Sequence, residues 1–175
     1  MSLEIAKQYE DFVKRVSPQV ADLLGVKNRK IKIILASTVE YPVLGVTSGR
    51  TIFLNTEWFT KHPNDHGTIV HEVAHAVMNI NVALDTESWL IEGLADYARV
   101  ALGFPTLTGV SPDYDPERLF DGYEPTAHFF LWIKSKYGDM EIRNIARSIS
   151  EMQVFDVEKL RRLLQEYKKD NERSL

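Results

Sequence analysis

Two histidines four residues apart, with a glutamate beside the first, make His71-Glu72-Val73-Ala74-His75 the stretch of this chain best suited to chemistry. Four residues advance an α-helix by about one turn and about 6 Å. Both imidazoles then leave one face, stacked at a separation that suits a single tetrahedral zinc ion. Glu72, rotated by about 100° around the helix, can reach the open fourth position of such an ion and take a proton from water there. The arrangement requires a helix. Ile69, Val70, Val73, Ala74, Val77 and Ile80 recur at helical spacing on the sides away from the histidines.

A catalytic zinc site needs a third protein ligand, and Glu92-Gly93-Leu94-Ala95-Asp96 offers one. Glu92 and Asp96 share a helix face, which Arg99 continues, while Trp89, Leu90, Ile91, Leu94 and Ala95 give the segment an apolar setting. Carboxylates inside a packed helix pair are costly unless they coordinate or pair with something. Sixteen residues separate His75 from Glu92, enough for the end of one helix, a turn and the start of another. Packed antiparallel, the two helices would bring Glu92 to the metal. Asp96, one turn on, would accept the remaining imidazole proton of His71 and fix its tautomer. Gly93 would let these two helices approach closely. A donor for the developing oxyanion is also needed; Tyr123, at a helix start after an irregular stretch, is the first candidate and His128 the second.

The remaining elements must carry this pair of helices. Residues 3 to about 24 read as an amphipathic helix that Pro18 should kink or split near Ser17. Period-two alternation marks a strand at 30–37, and two more are expected at 43–47 and 50–55, joined through Ser48-Gly49 as a hairpin. The expected product is a small, mostly antiparallel sheet. Thr51-Ile52-Phe53-Leu54 is read either as an exposed edge that binds an extended peptide through its main chain or as simple core cover. Residues 61–67 read as a loop, in which His62 and His66 are solvated rather than metal-bound. The central helix is expected to reach about Asn81, with Asp85 or Thr86 capping the next. Residues 103–122, rich in proline, glycine and aspartate, are a candidate site-covering loop. Three helices follow, at about 124–137, 139–151 and 156–169.

Trp89-Leu90-Ile91-Glu92-Gly93-Leu94-Ala95-Asp96-Tyr97-Ala98-Arg99, coming after His71-Glu72-x-x-His75, resembles the basic secretory protein peptidases of plants and bacteria, and more widely the gluzincin metallopeptidases. Gly122-Tyr123-Glu124-Pro125-Thr126-Ala127-His128-Phe129-Phe130 is similar to a further segment of that family. The resemblance spans about residues 43–150. It implies a zincin-like core and a zinc-dependent peptidase, with His71, His75 and Glu92 as ligands and Glu72 as general base. The chain departs from the family in its acidic balance and in Met78, where a glutamine is expected.

Composition narrows the partners. With 175 residues the simplest reading is one α+β domain spanning 1–175, large enough to hold a core without disulfides. There are no cysteines, so neither a thiolate metal site nor a cysteine nucleophile is available. A net charge of −4 argues against nucleic acid as partner. No apolar run is long enough to span a membrane. The expected partner is a peptide or protein substrate. The opening Met1-Ser2-Leu3-Glu4 lacks the features of a leader, which gives a cytoplasmic expectation, with secretion after leader removal as the alternative. The competing functional class is a catalytically inactive, zinc-stabilised protein-binding module.

Overall fold

The computed structural model describes residues 3–37, 43–80, 88–108, 113–151 and 156–172. Helix α1 (Leu3–Leu24) is followed by strands β1 (Lys32–Ala36), β2 (Gly45–Ser48) and β3 (Thr51–Asn55). Helices α2 (Thr56–Lys61), α3 (His66–Met78) and α4 (Ser88–Ala101) come next, then a single 3₁₀ turn at Leu119–Asp121. Helices α5 (Tyr123–Tyr137), α6 (Asp139–Ser150) and α7 (Val157–Glu172) complete the order. The class is α+β, mostly helical beside one small sheet.

Helix α1 is continuous through Pro18, not split as its sequence suggests. Pro18 and Lys14, whose carbonyl loses its helical partner, both lie on the exposed face, where water can replace the missing bond. On the other face Tyr9, Phe12, Val13, Val16 and Val20 are buried in the core and hold the helix in place.

The sheet is mixed rather than mostly antiparallel. Its order is β1-β3-β2, with β3 parallel to β1 and antiparallel to β2. Thr51–Asn55 therefore forms the central strand and cannot serve as a peptide-binding edge. Burial explains the placement: Ile52 and Leu54 have no exposed surface, whereas Val46 of β2 is 46% exposed. A strand with the apolar residues to be buried takes the middle. Among the described residues the edge strand on the other side is β2, Gly45–Ser48.

Residues 61–67 are not all loop, because helix α2 ends at Lys61 and α3 begins at His66. Asn55 caps α2 by accepting from the Glu57 and Trp58 amides at 2.9 and 3.1 Å. Asp65 caps α3 by accepting from the Thr68 amide at 3.0 Å, and also accepts from the Thr68 hydroxyl and the Trp58 indole. His66 stacks on Phe12, which ties the start of α3 to α1. Helix α3 ends earlier than expected, with Asn79 in the left-handed conformation at φ 56° as its cap. The expected cap at Asp85 or Thr86 lies outside the described residues.

Nearly every residue of α3 is buried, including Ile69, Val70, Val73, Ala74 and Val77 at zero exposure. Helix α4 packs on α3 with one face and on α5 with another. The close approach at Gly93 is to α5, not to α3: a Cβ there would stand 2.2 Å from Thr126 Cγ2. Among the described residues no helix is long and apolar enough to cross a membrane.

Gly93→Ala gains about 1 kcal/mol of helix propensity but must push α4 and α5 apart. The net loss expected is about 1–3 kcal/mol, read as a lowered denaturant midpoint; an unchanged midpoint contradicts the close packing.

Candidate metal centre

Helix α3 presents His71 and His75 from adjacent turns of one face, and α4 presents Glu92 opposite them. His71 Nε2 lies 3.1 Å from Glu92 Oε2 and 3.1 Å from His75 Nε2, while His75 Nε2 lies 3.5 Å from Glu92 Oε2. These three residues form a group whose ligand atoms all lie within 4.8 Å of one another. Ligand atoms bound at about 2.0–2.1 Å to a tetrahedral ion stand roughly 3.3 Å apart, so the observed triangle fits a zinc-sized ion.

Asp96 sits one turn beyond Glu92 on α4, and its Oδ1 lies 2.7 Å from His71 Nδ1. Its side chain is only 3% exposed. With Nδ1–H donating to Asp96, the Nε2 side of His71 faces His75 and Glu92. Burial opposes a charge on His71, but its hydrogen bonds to Asp96 and Glu92, with the Glu72 charge nearby, outweigh that and push its pKa up to about 10 in the metal-free protein. Glu92 is driven the other way: desolvation raises its pKa, yet the hydrogen bonds to His71 and His75 hold it well below the usual carboxylate range. The donor set thus carries its own negative charge toward the point where a cation would sit.

Glu72 is buried beside the trio. Its Oε2 accepts a 2.7 Å hydrogen bond from the Thr47 hydroxyl of β2, and Thr47 Oγ1 also lies 3.1 Å from the Glu72 carbonyl. Strand β2 comes this close because residue 45 is glycine. A Cβ there would stand 2.9 Å from Glu72 Cγ and 3.0 Å from its Oε1. Neither Thr47 nor Gly45 stands out from residue type and spacing alone. The available signal was a glycine at a strand start, which marks close approach of another group.

Tyr123 opens α5 at φ 51°, an uncommon conformation for a tyrosine. Its ring stacks on His71 at 5.8 Å between centroids, and the residue is 51% exposed at the cleft. Desolvation, then the Glu92, Asp96 and Glu72 charges, push its pKa up to about 12, so the phenol keeps its proton. His128 is absent from the cleft lining; its Nδ1 faces the Tyr167 hydroxyl at 2.6 Å, on the side of α5 that meets α7. His62 is exposed and stacked on Trp58, away from the trio.

The cleft around the trio has a volume of about 640 Å³. Residues 43–47 form one wall, and Leu107, Thr108, Arg118, Tyr123 and Glu124 form another. Part of the irregular 103–122 stretch therefore does border the site. Thr108 is tied to α5 by its amide and hydroxyl, which both donate to Glu124 Oε1.

Asp96→Asn removes the charge behind His71 while keeping its size. It is expected to weaken zinc affinity by roughly 10–100-fold in a competitive metal titration, and unchanged affinity would rule Asp96 out of that role.

A family model described as a peptidase of plants and bacteria matches residues 7–164. Comparison with curated proteins and with solved structures returned no match. The matched span contains all of α3 and α4 and nearly the whole described fold, so the chain belongs to this family of peptidases of plants and bacteria.

Proposed function

We propose that this protein is a zinc-dependent metallopeptidase, cutting peptide or protein substrates with Glu72 as general base. The observation that carries the reading is the convergence of His71, His75 and Glu92 within 4.8 Å at the floor of an open cleft, with Glu72 beside them. A site that served structure alone would be closed over by protein ligands. Here a wide cleft remains on the side of Glu72 and Tyr123, which disfavours a purely structural binding module.

His71, His75 and Glu92 would hold the ion, and Asp96 would keep His71 oriented. The chemistry a bound zinc ion supplies is Lewis acidity, which acidifies water and polarises a carbonyl. Glu72 takes the proton of the attacking water and returns it to the leaving amine. Thr47 fixes the Glu72 carboxylate through Oε2, leaving Oε1 for this exchange. The Tyr123 phenol, protonated at neutral pH, is placed to donate a hydrogen bond to the oxygen that gains charge as the carbonyl is attacked. Strand β2, an edge strand among the described residues, lines the cleft and offers main-chain groups to which an extended substrate can pair.

Glu72→Gln is expected to bind zinc like the wild type and to lose nearly all hydrolysis of a peptide library that wild type cuts and a chelator protects. Wild-type turnover in that variant would dismiss Glu72 as the base.

Thr47→Val keeps shape and removes the donor. Hydrogen bonds to charged groups contribute about 1.5–3 kcal/mol, so kcat should fall roughly tenfold or more with little change in KM, and Thr47→Ser should restore most of it. Equal loss in the valine and serine variants would mean that the threonine only packs.

A further inference from the structure

Arg99 is a buried charge that the reaction above does not use. It follows Asp96 by three positions on α4 and lines the cleft, with its side chain 5% exposed. A guanidinium has five N–H donors and no acceptor, and taking it out of water is costly unless those donors are met. Here Nε donates to the Pro105 carbonyl. The nearest carboxylate, Asp65, stands 3.9 Å from Nη2, beyond hydrogen-bond distance. Asp65 therefore faces Arg99 as a loose ion pair, while its hydrogen bonds come from Thr68 and the Trp58 indole. Among the described residues neither Nη group has a hydrogen-bond acceptor, and neither is a fully buried polar atom, so both are open to whatever fills the cleft.

The surroundings hold that donor group in place. Gly67 gives it room, since a Cβ there would stand 2.7 Å from Nε and 2.9 Å from Nη2. Thr68 of α3 and Leu107 and Thr108 of the neighbouring loop line the same cleft. The other arginine of the lining, Arg118, is 61% exposed and paired with Asp121. Arg99 is therefore the buried arginine of the cleft with donors to spare.

Its distance from the metal trio suits a substrate group. Arg99 lies seven positions after Glu92 along α4, a rise of about 10 Å. An extended peptide advances about 3.4 Å per residue, so a group roughly one to three residues from the bond to be cut comes within reach. Planar, forked N–H donors in a buried site match a carboxylate best.

We propose that Arg99 recognises a carboxylate of the bound peptide close to the scissile bond, which makes the enzyme selective for an acidic side chain or a free C-terminus at that position. The inference rests on reading the site as a peptidase, and its test separates the two. A sequence cut by the zinc-loaded protein is first found in an unbiased peptide library. Peptide pairs then differ only by Glu against Gln at each flanking position, or by a free acid against an amide at the C-terminus. One pair should favour the carboxylate by about tenfold or more in kcat/KM, and which pair does so identifies its source.

Arg99→Met should bring that ratio close to one. Arg99→Lys, which keeps a point charge without the fork, should reduce it and carries the comparison if the methionine variant does not fold. Equal cleavage within every pair overturns the proposal, as does a preference that survives in the variants, because a residue that only supports the fold would slow both members alike. Independently of cleavage, library peptides paired as Glu against Gln and as free acid against amide are titrated by fluorescence anisotropy against zinc-loaded Glu72→Gln. A carboxylate preference in binding, with no peptide cut by wild type, sinks the peptidase reading and keeps the role of Arg99. Cleavage without any carboxylate preference sinks only the role of Arg99.

Discussion

A carboxylate removed almost entirely from water must be met by a donor or a cation, and in this chain Asp96 is met by His71 at 2.7 Å. That contact joins α3 to α4 at a defined height and fixes which nitrogen of His71 faces inward. Glu92 lies one turn before Asp96 and His75 one turn after His71. The same register therefore brings the three candidate ligand atoms together. Two four-residue spacings on two helices, locked by one hydrogen bond, set the geometry of the centre. The cost of collecting Glu72, Glu92 and Asp96 in one buried region is understandable only if positive charge is also held there. In the metal-free protein a proton shared around His71 answers that need; with metal, the ion would.

The rest of the fold serves that register from two sides. Helix α5 packs onto α4 through Gly93 and Thr126, and its first residue is Tyr123, so the contact that seats α4 also delivers the phenol to the cleft. Strand β2 closes on α3 from the other side, where Gly45 makes room for Glu72 and Thr47 holds it. The small residues at 45 and 93 matter because they admit a neighbour, one a carboxylate and the other a helix. Helix α1 contributes by burying the far side of α3, which leaves only the face bearing the histidines open to the cleft.

Much of this was legible from residue spacing. The faces bearing His71, His75, Glu92 and Asp96 follow from helical periodicity, and the order of the major helices follows from apolar stripes and breakers. Tyr123 could be placed at a helix start because an irregular stretch ends just before it. What spacing does not carry is the choice of partner across space. Nothing local distinguishes β3 as the centre of a mixed sheet from β3 as its edge, since pairing depends on which strand the whole core buries. Gly93 was legible as a site of close approach, but not whether α3 or α5 would fill it. Thr47 shows the same limit, because a threonine in a strand reads as ordinary β propensity until the sheet brings it over Glu72. Pro18 shows the opposite case, in which packing of one face overrides a local breaker on the other.

The most direct test of the account is X-ray absorption at the zinc edge on purified protein loaded with one equivalent of zinc. The account predicts one tightly held ion per chain, with two imidazole nitrogens and carboxylate oxygen at about 2.0–2.2 Å, and loss of one nitrogen scatterer in His75→Ala. A protein that holds no stoichiometric zinc, or holds it with a ligand set that His75→Ala and Glu92→Gln leave unchanged, would contradict it.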